Sequence, residues 1–143
     1  MINELKCYVI NLDRSKKRMS EFNEAFSGTN LKVERIAAVD GNSIKIKSFS
    51  NDFQCRKEMG RSIQPGEVGC YLSHKKVLEI FLSTGSKYAI VFEDDAIPED
   101  GFRDTIESLI EKFLKNNKET AAINLGAVDF KYSSRVLPIK NNI

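Results

Sequence analysis

A chain of 143 residues, 41% hydrophobic and 29% charged, has the length and composition of one globular domain with a real core. Its 22 basic and 20 acidic residues leave a net charge of +2, which argues against bulk electrostatic binding of nucleic acid. Three widely spaced cysteines, Cys7, Cys55 and Cys70, form no CxxC pair, so neither a disulfide framework nor a zinc site is expected. Reduced thiols in a cytoplasmic protein are the simplest account. The first residues lack the basic-then-apolar pattern of a signal peptide, and no apolar run is long enough to span a bilayer. An intracellular, soluble protein is expected, with peripheral association with a membrane still open to it.

In chain order, Lys6 to Leu12 reads as a first buried strand, rich in β-branched and aromatic residues. Asp13-Arg14-Ser15 breaks it, and Ser15 is the expected N-cap of a helix over Lys16 to Phe26. Met19, Phe22 and Phe26 recur at helical spacing and face the sheet, and Gly28 is the expected stop. A second strand follows around Lys32 to Ile36, ended by the turn signal Asp40-Gly41-Asn42. Residues 43 to 64 read as an irregular excursion with a short helix.

Glu67 to Ser83 is a strong helix whose apolar face comprises Val68, Tyr71, Leu72, Val77, Leu78, Phe81 and Leu82. Tyr88 to Phe92 is a continuous apolar run that enters Glu93-Asp94-Asp95, so a strand buried on both faces ends at Glu93. Phe102 to Lys115 is a further amphipathic helix and Thr120 to Leu125 a fourth strand, followed by a loop and tail. The alternation of strands and helices is that of an α/β protein with a mostly parallel sheet and right-handed crossovers.

Polar groups cluster at the predicted carboxyl ends of these strands: Asn11 to Arg14, Asp40-Gly41 and Glu93-Asp94-Asp95. Open α/β sheets bind ligands at that edge. The acids suit a hard divalent cation, Mn²⁺ or Mg²⁺, completed by substrate phosphate oxygens. In an extended segment Glu93 and Asp95 point to one side, as the metal side, and Asp94 to the other, toward a sugar hydroxyl or a structural contact. Arg14 can meet phosphate beside a helix N-terminus. Arg18, a turn later, reads as part of a solvated basic face with Lys16 and Lys17. His74, the sole histidine, reads first as structural. No nucleophile elbow, dinucleotide fingerprint or P-loop is present.

Taken together, Val9-Ile10-Asn11-Leu12-Asp13-Arg14-Ser15 with Arg18, Arg35-Ile36-Ala37-Ala38-Val39-Asp40-Gly41, Gly66-Glu67-Val68-Gly69-Cys70-Tyr71-Leu72-Ser73-His74 and Phe92-Glu93-Asp94-Asp95 resemble glycosyltransferase family 25, the lipooligosaccharide-type galactosyl- and glucosyltransferases. The resemblance implies a Rossmann-like, GT-A type fold and transfer of a hexose from a UDP-sugar to a lipooligosaccharide or lipopolysaccharide acceptor, at the inner face of a bacterial membrane. It implies Mn²⁺ or Mg²⁺ on the Glu93-Asp94-Asp95 block, with Asn11, Arg14, Asp40 and Gly41 near the nucleotide. Gly66, Glu67, Ser73 and His74 would shape the donor side.

GT-A domains carry an acceptor half that this length does not accommodate, so the chain is expected to be the donor-binding part, with the general base beyond it. A truncated sheet leaves an edge able to pair with another copy, so a homo-oligomer is compatible. Two other readings stand beside the transferase: a non-catalytic remnant that binds nucleotide or a partner chain, and a Mg²⁺-dependent phosphoryl-transfer enzyme suggested by the acidic strand end alone.

Overall fold

The structure, a computed structural model, describes residues 4–45, 51–111, 123 and 125. It divides into two compact units, Met1–Ile97 and Pro98–Ile143. The first contains β1 (Leu5–Asn11), α1 (Lys16–Phe26), β2 (Val33–Ala37), α2 (Asp52–Met59), α3 (Pro65–Ser83) and β3 (Tyr88–Glu93). The second contains α4 (Phe102–Leu109).

The three strands form one parallel sheet in the order β2-β1-β3. The central strand is β1, which is why Tyr8 and Val9 are almost wholly buried. Register pairs Val9 with Arg35 on one side and with Phe92 on the other. Because side chains alternate along a strand, Val9 and Phe92 share one face and Tyr8, Ile10 and Ile36 the opposite one.

Each face is covered by the helix expected from the sequence. On the first, Phe22 and Phe26 of α1 stack with ring centroids 4.2 Å apart, and Phe26 meets Phe92 edge-on at 4.7 Å. On the second, Tyr8, Ile10 and Ile36 enclose Val77 of α3, with Ile80 and Phe81 packed against them. Fully burying each such side chain contributes about 1.5–3 kcal/mol, so these two clusters carry much of the stability. The α/β architecture is thus a sheet with one crossover helix on each face, and the chain reverses direction across the sheet between β1 and β3.

Several local expectations are corrected. Ser15 occupies the N-cap of α1 but its side chain caps nothing; its backbone carbonyl instead accepts from the Asn11 amide at 3.1 Å. Gly28 lies inside a 3-10 turn, Ser27–Thr29, and the left-handed residue that turns the chain is Asn30, with φ 54°. On α3 the buried residues are Val68, Gly69, Ser73 and Val77, whereas Tyr71, Leu78 and Leu82 are exposed. Hydrophobicity therefore overstated the width of the face that touches the sheet. The excursion between β2 and α3 does hold a short helix, α2, capped by the Asn51 side chain and ended by Gly60 at φ 71°.

Beyond Ile97, α4 begins after Gly101 at φ 73°, carries an Arg103–Glu107 ion pair one turn apart, and buries Ile106. Phe113, Leu114 and the expected fourth strand, apart from Ile123 and Leu125, lie outside the described residues.

Two glycines let the β2 exit approach α3 closely. A Cβ on Gly41 would overlap the Pro65 carbonyl, and one on Gly69 would lie 2.7 Å from the Val39 oxygen and 2.8 Å from the Gly41 nitrogen. Ser73 secures the same contact: its hydroxyl accepts from Val39 N–H at 2.8 Å and donates to the Gly69 carbonyl at 2.6 Å. Gly28, by contrast, has open space around it. Gly69→Ala should therefore cost about 1–3 kcal/mol in urea denaturation, while Gly28→Ala stays within about 0.5 kcal/mol of the parent. Equal effects from the two substitutions would refute the close approach.

Candidate functional site

The carboxyl ends of β1 and β3 meet at the point where strand order reverses, the place at which open parallel sheets leave a crevice. Asn11, the last residue of β1, is buried there. Its amide donates to Asp94 Oδ2 at 2.6 Å and to the Ser15 carbonyl, while its Oδ1 accepts from Arg35 Nε at 2.9 Å. Arg35 reaches from β2 and also donates to the Asn11 carbonyl and to Asp13 Oδ1, at 3.2 and 2.6 Å. One side chain thus ties the ends of all three strands to the start of α1.

The acidic block is divided by the pleat. Glu93 pairs in register with Ile10 and so faces α3, where its Oε1 lies 3.5 Å from His74 Nε2 and 3.9 Å from Cys70 Sγ. Asp94 faces α1. Its buried carboxylate meets Arg18 Nη2 at 2.7 Å. The chain then turns, with Ala96 N–H donating to the Glu93 carbonyl, so Asp95 does not return to the Glu93 side. It meets the same Arg18 nitrogen at 2.7 Å. The expectation that Glu93 and Asp95 share one side is therefore corrected: strand alternation stops at Glu93. Arg18, read from sequence as part of a solvated face, is corrected too, since it bridges the two aspartates.

The remaining candidates fall around this centre. Arg14 pairs with Asp40, which joins the exits of β1 and β2. The Asn42 N–H, and after it the Arg14 guanidinium, hold the Asp40 carboxyl below the ordinary carboxylate range. Gly41 is buried against Pro65 at the start of α3. Glu67 is engaged at that helix start: Arg61 donates to it twice, at 2.8 and 2.6 Å, and Gln64 N–H donates at 2.7 Å. These bonds pull its carboxyl down to about 2. Beside Asn11, an open groove of about 480 Å³ runs along α1 between Asp13 and Arg35 on one side and Lys16, Ser20 and Asn23 on the other.

Sequence reasoning passed over Arg61 and Cys70. The four-residue spacing of Cys70 and His74 on one helix was the available signal for the second. The Cys70 thiol is pushed up by burial and then by the Glu93 carboxylate, and Cys7, buried in β1, is pushed up to about 11. Among the described residues all three cysteines are free, and no helix is long and apolar enough to cross a membrane.

A family model described as glycosyltransferase family 25 (LPS biosynthesis protein) matches residues 4–140. The chain belongs to glycosyltransferase family 25. It is 31% identical over 125 residues to a mouse protein named inactive glycosyltransferase 25 family member 3, covering 83% of this chain and 21% of that one. It is 33% identical over 103 residues to a glycosyltransferase 25 family member of Anopheles gambiae, covering 67% and 17%. A Haemophilus influenzae protein named provisionally as a glycosyltransferase is 28% identical over 88 residues, covering 62% and 31%. The chain spans about a fifth of the length of the two animal relatives.

Asn11→Ala would leave Asp94 without its amide donor and Arg35 Nε without its side-chain acceptor, and should lower stability by about 1–3 kcal/mol in denaturant unfolding. An unchanged midpoint would show that Asn11 does not organise the strand ends. For Glu67, whose folded value of about 2 lies below the ordinary 4.5, the stabilisation is complete above 4.5 and is lost as pH falls toward 2. The stability advantage of the parent over Glu67→Gln should shrink through that acid window; an advantage that grows instead would reverse the sign.

Proposed function

We propose that this chain forms the nucleotide-sugar donor side of a hexosyltransferase, binding a UDP-sugar, galactose or glucose, for transfer to a lipooligosaccharide or lipopolysaccharide acceptor. The observation that carries the reading is the convergence of Asp94 and Asp95 on one cationic nitrogen at the switch point of the sheet, 2.7 Å from each. Two carboxylate oxygens that meet around one cation are a donor set suited to Mn²⁺ or Mg²⁺, which take one or two protein carboxylates and fill the rest with phosphate and water oxygens. Such an ion would supply charge neutralisation at the leaving diphosphate.

The chain's own residues do the rest. Asn11 holds Asp94 in place and Arg35 holds Asn11. Arg14, in the turn just before α1, and Arg18, in its first turn, offer guanidinium forks to a diphosphate, and the open end of that helix adds partial positive charge. Arg18 would pass from the aspartates to phosphate oxygens as the diphosphate arrives. Asp40 and Gly41 border the same edge, suited to the nucleoside. A lipid-linked acceptor suits a protein working at the cytoplasmic face of a membrane.

Calorimetry with UDP in the presence and absence of Mn²⁺ tests this directly. Binding should require the cation, and Asp95→Ala and Arg18→Ala should each weaken it at least about tenfold, or about 1.4 kcal/mol. Cation-independent binding that Asp95→Ala leaves untouched would defeat the proposal.

A second reading has its own support in the mouse relative's name, which states that it is inactive. In it the chain binds nucleotide without transferring sugar. Release of UDP from UDP-galactose or UDP-glucose by the purified chain would exclude this reading; cation-dependent binding without release would favour it.

A further inference from the structure

Cys70 and His74 stand four residues apart on α3, so both side chains rise from the same face, one turn apart. Glu93 reaches that face from the end of β3. The three donor atoms, a sulfur, an imidazole nitrogen and a carboxylate oxygen, all lie within 4.8 Å of one another. The nitrogen and the sulfur are 3.5 and 3.9 Å from the same carboxylate oxygen. Around a tetrahedral zinc, bonds of about 2.3 Å to sulfur and about 2.0–2.1 Å to nitrogen or oxygen place ligand atoms roughly 3.3–3.7 Å apart. Small side-chain rotations therefore bring the three to ligating distance with no backbone movement.

Charge points the same way. Arg18 answers Asp94 and Asp95, but among the described residues no lysine or arginine pairs with Glu93. A thiolate and a carboxylate together match a dication. Sulfur and imidazole select a borderline ion, whereas Mg²⁺ favours oxygen alone.

We propose that Cys70, His74 and Glu93 form a binding site for a zinc-type divalent cation, separate from the Asp94–Asp95 pair on the opposite face of the sheet. The site has three protein ligands and a fourth position open to solvent, since His74 and Glu93 are 41% and 60% exposed. Occupied, it clamps α3 to the carboxyl end of β3 one residue before the buried Asp94. It does not depend on the donor-binding reading, because the ion alone is the ligand.

Cobalt titration of the reduced chain tests the site. One equivalent of Co²⁺ should produce a thiolate-to-cobalt band in the near ultraviolet, removed by one equivalent of Zn²⁺ and unaffected by excess Mg²⁺. Cys70→Ser should abolish the band, His74→Ala should weaken cobalt binding at least about tenfold, and Cys55→Ser should leave both unchanged. In the unsubstituted protein, Zn²⁺ should slow alkylation of Cys70 and not of Cys55, a readout that needs no variant to fold. Absence of a thiolate band, a band that survives Cys70→Ser, or alkylation of Cys70 indifferent to Zn²⁺ would overturn the proposal.

Discussion

The buried amide of Asn11 is the contact on which the site depends. A carboxamide accepts through its oxygen and donates through its nitrogen, so it can stand between a guanidinium and a carboxylate. Arg35 approaches its oxygen and Asp94 its nitrogen. Aspartate at this position would oppose Asp94 in a place almost closed to water, and leucine would leave both charged neighbours short of a bond. The Asp94 carboxylate is 9% exposed, and charge at that depth persists only where it is partnered. Asn11 and Arg18 are those partners, and both are set by β1 and the helix that follows it.

The sheet then decides what each acid does. Period-two alternation sends Glu93 to the α3 face and Asp94 to the α1 face, so adjacent carboxylates experience different surroundings. Glu93 meets a thiol and an imidazole, Asp94 an amide and a guanidinium. The turn after β3 breaks the alternation and returns Asp95 to Asp94. Three consecutive acids, which read along the chain as one block, are in space a pair and a single.

What the sequence made legible was whatever burial dictates. The bounds of α1 and β3 could be read because Phe22 and Phe26 recur at helical spacing and because the continuous apolar run of β3 stops at its acids. Caps were harder. Ser15 and Gly28 have the right chemistry for helix ends, but the tertiary contact of Asn11 with the Ser15 carbonyl and the left-handed Asn30 do those jobs. The face of α3 was overread because Tyr71, Leu78 and Leu82 satisfy a hydrophobic count without touching the sheet. Arg18 was underread because its partners lie more than seventy residues away along the chain, beyond any local pattern. Cys70 was discounted by a spacing rule made for pairs of cysteines, which does not see a cysteine one turn from a histidine.

The pairing of Arg14 and Arg18 bears on how an anion could be taken up at this edge. Neither guanidinium waits free: Arg14 holds Asp40 and Arg18 holds both aspartates. A diphosphate arriving alone would have to separate those pairs and leave carboxylates facing phosphate. Together with a divalent cation it meets a different balance, because each charge exchanges one opposite partner for another. The exchange is cheap where the pair is exposed, since such ion pairs contribute only about 0–1 kcal/mol. Asp95 and Arg14, at 66% and 57% exposed, are of that kind, whereas Asp94 at 9% is not. Asp94 therefore stays anchored to Asn11 while Asp95 and the arginines are free to change partners. Under the proposed function, the fixed half of the site would give it position, and the exposed half would give it selectivity for an anion that comes with its metal.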